Sequence, residues 1–242
     1  MTRSFSTMIV AMLACGSPLA HAQPRPATPS SQMALAEAVH LDKTVKRLLG
    51  EGKSHEAMRP AERSLALREK LLGPMDPAIA TSLNSLAEVY DAEGVPGKAE
   101  SLLVRALAIR EKTLGPDHPS TANALSNLSL LDIYEHKFGQ AENFAKRALP
   151  IEEKTYGLES SEVSTTLNRL GLAQRDLKEF AQAETSLKRA LAIREKNLPT
   201  NHPWIAVSLE NLASVYLAQG EYGKAAPLIK RAQSIRSYSS AS

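Results

Sequence analysis

A block of 42 residues recurs along this chain, and that periodicity limits its folding more than any other feature. The block Leu72–Thr113 reappears in register as Leu114–Thr155, Tyr156–Asn197 and Leu198–Ser239. One column is alanine in every copy (Ala57, Ala99, Ala141, Ala183, Ala225), a second is leucine (Leu41, Leu83, Leu125, Leu167, Leu209) and a third is arginine (Arg63, Arg105, Arg147, Arg189, Arg231). Residues 30–71 therefore form a fifth, worn copy, which keeps Leu41, Ala57, Arg63 and Leu65 but lacks the Gly-Pro opening. Internal repeats of this length mean a stacked array rather than one or two globular domains.

Within a block, apolar and small residues at Ile79, Leu83, Leu86, Ala87 and Tyr90 follow the three-and-four spacing of a helical stripe. A break at Glu93-Gly94-Val95-Pro96-Gly97 interrupts it, and a second stripe follows at Ala99, Leu102, Leu103, Ala106, Leu107 and Ile109. We name these helices A and B of each repeat. Helix B is expected to stop at Gly73-Pro74 and Gly115-Pro116, where glycine suits a left-handed cap and proline cannot continue a helix. Pro77, Pro119 and Pro203 fit the first turn of the next helix A, where a missing N–H costs nothing. Each repeat is thus a helical hairpin that cannot cover its own apolar face. The small column Ala87, Ser129, Gly171 and Ala213 and the all-alanine column give places for close helix approach.

The segments Leu83–Tyr90 (LNSLAEVY), Gly97–Glu100 (GKAE) and Arg105–Lys112 (RALAIREK) resemble the tetratricopeptide repeat, and the 42-residue period with G-P-x-x-P openings resembles its kinesin-light-chain-type variant. The resemblance spans residues 30–239. It implies an all-α fold, a right-handed α-solenoid of stacked helical hairpins, and a role as a protein-binding scaffold. In proteins of this kind helix A lines the concave face, and asparagines there hold the backbone of an extended peptide. The positions matching that pattern are Asn84, Asn127, Asn168 and Asn211, whose amides can donate and accept at once. Leu130, Leu172 and Tyr134 add apolar contacts to the candidate groove, with Arg169 and Arg175 as cations suited to an acidic partner side chain.

Residues 1–22 read as an export signal: Arg3, the short apolar run Met8–Ala14, and Ala20-His21-Ala22 as a small-x-small cleavage pattern. That run is too short to anchor a bilayer span. The expected location is secreted or periplasmic, with a lipoprotein anchored through Cys15 of Met12-Leu13-Ala14-Cys15-Gly16 as the alternative. Residues 23–31, with three prolines, read as an extended linker. A net charge of +3 is too small to indicate a nucleic-acid partner.

No catalytic, cofactor-binding or metal-binding pattern stands out, so the chain reads as non-enzymatic, without cofactors. His118 and His202 share a column with Asp76 and Ser160, which points to a role at helix starts. The Arg column and the recurring pairs Glu69-Lys70, Glu111-Lys112, Glu153-Lys154 and Glu195-Lys196 read as a solvated outer face. Asp132 and Gln174 break the column held elsewhere by Tyr90 and Tyr216. Either these polar groups are satisfied inside the stack, or helix A of the third repeat rotates to use Tyr134. Pro150 is expected to bend or shorten its helix. Leu228, Ile229, Ala232 and Ile235 are expected near an uncovered end, a candidate surface for self-association in an oligomerising envelope module, the alternative to the scaffold.

Overall fold

The computed structural model describes residues 28–239; the export signal, Cys15 and most of the linker segment lie outside them. The described residues form ten helices in A–B order: α1 (Pro29–Gly50), α2 (Ser54–Leu71), α3 (Pro77–Ala92), α4 (Pro96–Leu114), α5 (Pro119–Tyr134), α6 (Phe138–Tyr156), α7 (Ser161–Asp176), α8 (Phe180–Asn197), α9 (Pro203–Ala218) and α10 (Tyr222–Ser239). The fold is an all-α solenoid. Each helix packs on the one before it and the one after it, as expected for a stacked array. The first helix begins at Pro29, so the end of the segment read as a linker is helical, capped by the Thr28 hydroxyl, which accepts from the Ser31 N–H.

The helix boundaries follow from short-range chemistry. Asp76, His118, Ser160 and His202 occupy one column, and each caps a helix A: Asp76 accepts from Ala78 N, His118 Nδ1 from Ser120 N at 3.1 Å, Ser160 from Val163 N, and His202 Nδ1 from Trp204 N at 3.1 Å. The two histidines are thus cap acceptors, as their column suggested. Between helices A and B every repeat places one residue at positive φ: Gly52, His136, Lys178, Gly94 and Gly220, with φ from 60° at His136 to 75° at Gly220. His136 and Lys178 adopt it at a steric cost that glycine avoids. Pro150 does not shorten its helix, since α6 and α4 are both 19 residues long.

The core runs along the array as linked clusters. The alanine column is buried throughout, and so is the small column. A Cβ placed on Gly171 would come within 2.5 Å of the Leu187 side chain and 3.2 Å of the Ala183 carbonyl, so α7 and α8 cross where no methyl group fits. Ala232 and Ile235 are buried within the last repeat and Leu228 and Ile229 are half-buried against it, so these residues are less bare than a terminal position suggested.

Neighbouring A helices pack directly, α1 with α3, α5 with α7 and α7 with α9, whereas among the described residues neighbouring B helices show no comparable contact. The A side is therefore the inner side of the curve. On the B side the arginine column bridges successive repeats: Arg105 pairs with Glu69 and Arg189 with Glu153, each at 2.5 Å, and Arg147 pairs with Glu111 and Arg231 with Glu195. The face read as merely solvated is a ladder of ion pairs. Its members are part-exposed, so each rung is worth only about 0.2–1 kcal/mol.

Candidate functional site

The A-helix stripe that meets the core leaves two polar columns on the inner face, and the structure treats their members differently. Asn84, Asn127 and Arg169 line one cavity of about 420 Å³ on the inner side of the second to fourth repeats. Arg110 and Glu152 of the B helices line it too, with Asn123 and Ser126 of α5 and Glu162 and Thr165 of α7. Asn127 also borders, with Leu130, a smaller and more apolar cleft between α3 and α5, the one adjacent A pair that does not pack closely. The remaining sequence candidates sit elsewhere. Asn211 donates through Nδ2 to Asn168 Oδ1 at 3.0 Å, and Asn168 is 8% exposed, so this pair is tied together across α7 and α9. Arg175 is held by Asp176 at 2.8 Å and by Ser214 at 2.8 Å. Leu172 is half-buried, and Tyr134 is 64% exposed.

The exposure of Tyr134 decides the question left open for the third repeat: Asp132, with no exposed surface, holds the tyrosine column and helix A has not rotated.

Arg110 and Glu152, which sequence reasoning passed over, belong to a column of helix B running Arg68, Arg110, Glu152, Arg194, Arg236. A glutamate among arginines was the available signal. Arg68 is neutralised by Asp42 at 2.6 Å, and Arg194 donates to Ser208 Oγ at 2.7 Å and lies over the Trp204 ring. Arg110 has a 3.2 Å bond to Asn84 Oδ1 and is 9% exposed. Burial holds the Arg110 guanidinium below the usual arginine range. Arg169 is lowered by burial too, with Glu152 acting against the shift, and it donates to the Ser126 carbonyl at 2.6 Å.

Glu152 is 2% exposed, and its Oε2 has no hydrogen-bond partner among the described residues. Burial pushes its carboxyl up to about 7, against the opposing pull of a Thr166 hydrogen bond and of Arg169. The cavity thus presents two guanidinium groups, the buried carboxyl of Glu152, the exposed carboxylate of Glu162, and the amides of Asn123 and Asn127, for which no internal side-chain bond is seen. Such a lining suits peptide groups and an acidic side chain better than an apolar ligand.

The sequence profile of the tetratricopeptide repeat matches residues 48–112, 79–154 and 162–237. The chain belongs to the tetratricopeptide repeat family. Among solved structures, its tetratricopeptide array is similar to a Podosopora anserina protein described as a kinesin light chain with nearly identical TPR-like repeats, with TM-score 0.73 and 25% identity over 86% of this chain and 98% of that one. It is also similar in fold to BtubC (BKLC) from P. vanneervenii, with TM-score 0.63 and 22% identity over 88% and 93% of the two chains. The apo form of RapI has the same fold, with TM-score 0.70 and 17% identity over 84% of this chain and 72% of that one. No curated protein matches the sequence. Tetratricopeptide repeats generally mediate protein–protein interaction, and the family is typically non-enzymatic. Among the described residues no helix is long and apolar enough to cross a membrane.

Proposed function

We propose that this chain is a non-enzymatic interaction scaffold that holds an extended segment of a partner protein along the face lined by its A helices. The supporting observation is the polar cavity at Asn84, Arg110, Asn123, Asn127 and Arg169, where buried guanidinium groups stand beside amides left over from internal bonding. Arg110, rather than Arg175, is the cation placed to meet an acidic side chain, because Arg175 is already neutralised by Asp176. Asn127 is the amide best placed to hold a peptide group, because Asn168 and Asn211 are committed to each other.

Selection of displayed random peptides on the immobilised full chain tests this reading. Extended peptides carrying an acidic residue should be enriched, and Asn127→Ala should weaken them by about 1–3 kcal/mol through an unpaired peptide group. Arg189→Ala, on the outer ladder, should leave binding intact. Peptides that bind Asn127→Ala and Arg110→Ala as well as the native chain, yet lose affinity for Arg189→Ala, would move the site to the other face. We further propose that the scaffold acts outside the cytoplasm after cleavage behind Ala22, supported by Arg3, the Met8–Ala14 run and Ala20-His21-Ala22. Mass spectrometry of the exported chain should find Gln23 at the N-terminus; a lipid-modified Cys15 would establish the lipoprotein alternative.

A further inference from the structure

A second site lies where α4 meets α5, at the joint between the second and third repeats. Three joints share a glutamate near the start of helix B, at Glu100, Glu142 and Glu184, faced by the residue 32 positions later on the next helix A. At the later joints that residue donates: Gln174 Nε2 to Glu142 at 3.3 Å, and the Tyr216 hydroxyl to Glu184 at 2.9 Å. Each of these glutamates also has a lysine one turn on, Lys146 and Lys188, at 2.6 Å. Glu100 has neither. Its turn-on neighbour is Val104, and the residue facing it is Asp132, another acceptor.

The result is a cluster of three carboxylates, Glu100, Asp132 and Glu135, with one oxygen of each within 4.8 Å of the others. Glu135 caps α5, and the left-handed His136 turns the chain so that Lys137 returns to the cluster. The Lys137 ammonium reaches Glu100 and Glu135 at 2.6 Å each and acts on Asp132 only through space, without a hydrogen bond to it. Asp132 is fully buried, and neither of its carboxylate oxygens has a partner among the described residues. Burial, reinforced by Glu100 and partly offset by Lys137, pushes its carboxyl up to about 6. A buried carboxylate with both oxygens orphaned is costly unless something outside the chain neutralises it.

We propose that Glu100, Asp132 and Glu135 bind a divalent calcium ion at this joint. Calcium takes oxygen ligands at about 2.3–2.6 Å and tolerates irregular geometry, so one ion can touch three oxygens that lie no more than 4.8 Å apart. Water and a second oxygen of any carboxylate complete the shell. The donor set is all oxygen; no histidine or cysteine among the described residues joins the cluster, which disfavours zinc. Lys137, part-exposed, occupies the cation position and swings to solvent when the ion enters. Binding ties α4 to the end of α5 and stiffens the joint where neighbouring A helices pack least closely.

Calorimetric titration of the chelator-treated full chain with calcium chloride near neutral pH, together with melting curves with and without calcium, tests this. One-site binding and a calcium-dependent rise in Tm are expected. Asp132→Asn removes a charged ligand but gives Glu100 a donor, so it should fold and melt at or above the native temperature. Its calcium affinity should nevertheless fall by about tenfold or more, because affinity follows the number of charged ligands. Lys137→Gln should bind calcium more tightly than the native chain, an effect that a purely structural role for the cluster would not produce. A native chain that shows no heat and no Tm change at millimolar calcium, or an Asp132→Asn chain that responds as the native one does, overturns the proposal.

Discussion

The third and fourth repeats share a backbone plan and differ in how they treat buried polar groups. In the fourth, Gln174 accepts from Ser186 at 2.9 Å while donating to Glu142, and Arg194 is bonded to Ser208 and to the Trp204 carbonyl at 3.2 Å. In the third, the same two columns hold Asp132 and Glu152, both buried and both with oxygens lacking partners. In the fourth repeat, neighbouring side chains and a carbonyl satisfy both of these buried columns. The two acids of the third repeat lie at different openings of the array, Glu152 in the inner cavity and Asp132 at the α4–α5 joint. The contrast therefore separates satisfied from unsatisfied buried polar groups within one periodic chain.

Copying the third repeat into the fourth is the severest way to break the contrast. Arg194→Glu would lose two hydrogen bonds and the stacking on Trp204 and bury an unpaired carboxylate, with an expected cost of about 3–5 kcal/mol in chemical denaturation. A cost close to zero would mean that the column tolerates either charge. Glu152 gives the next largest effect. A carboxyl that titrates higher in the folded chain than in the unfolded one contributes stability below the lower pKa and loses it as pH climbs through the higher. With a folded value of about 7 against 4.5, native stability should fall across that window by something on the order of 2–3 kcal/mol. The groups facing Glu152 are Arg169, Glu162 and Thr166 on α7, Glu153 beside it and Arg110 across the cavity. Since none of these neighbours is altered, Glu152→Gln should flatten the slope, and an unchanged slope would place the carboxyl in water.

Running the exchange the other way sharpens the comparison. Asp132→Gln, which gives the third repeat the residue of the fourth, should stabilise the calcium-free chain by about 1–2 kcal/mol by relieving orphaned oxygens. The outer ion pair is common to both repeats, so Arg147→Ala should cost about 0.5 kcal/mol in thermal melts, and Arg189→Ala somewhat more, because Arg189 also donates to the Leu158 carbonyl at 3.2 Å. A larger loss for Arg147→Ala would show that the ladder does not act rung by rung. Val104→Lys, which restores the turn-on lysine that Glu142 and Glu184 possess, should add about 0.3 kcal/mol.

Helix starts, stops and the buried columns were legible because they rest on contacts within a few residues or on a stripe of one helix. Asp76, His118, Ser160 and His202 cap helix A in the second to fifth repeats, and the alanines are buried in every copy. The inner face was legible only as a pair of polar columns. Asn84, Asn127 and Arg169 do converge on one cavity, but Asn168 and Asn211 bond to each other and Arg175 to Asp176. Polarity alone says neither whether a side chain faces away from the core, as the burial of Asn168 and Asp132 shows, nor whether a neighbour 43 residues on takes up its hydrogen bonds.

By itself, then, the sequence determined the solenoid: a 42-residue period, an amphipathic pair of helices in each block and small residues at the crossings leave stacking as the way to bury the apolar stripes. What the tertiary structure alone decided is which polar groups remain available. The offset between one repeat and the next brings Glu100 against Asp132, and Glu152 beside Arg169, and sets Arg110 at the cavity with a single internal bond. Those pairings depend on the register between helices of different repeats, a quantity that no single helix encodes, and the balance of donors and acceptors at each joint follows from it.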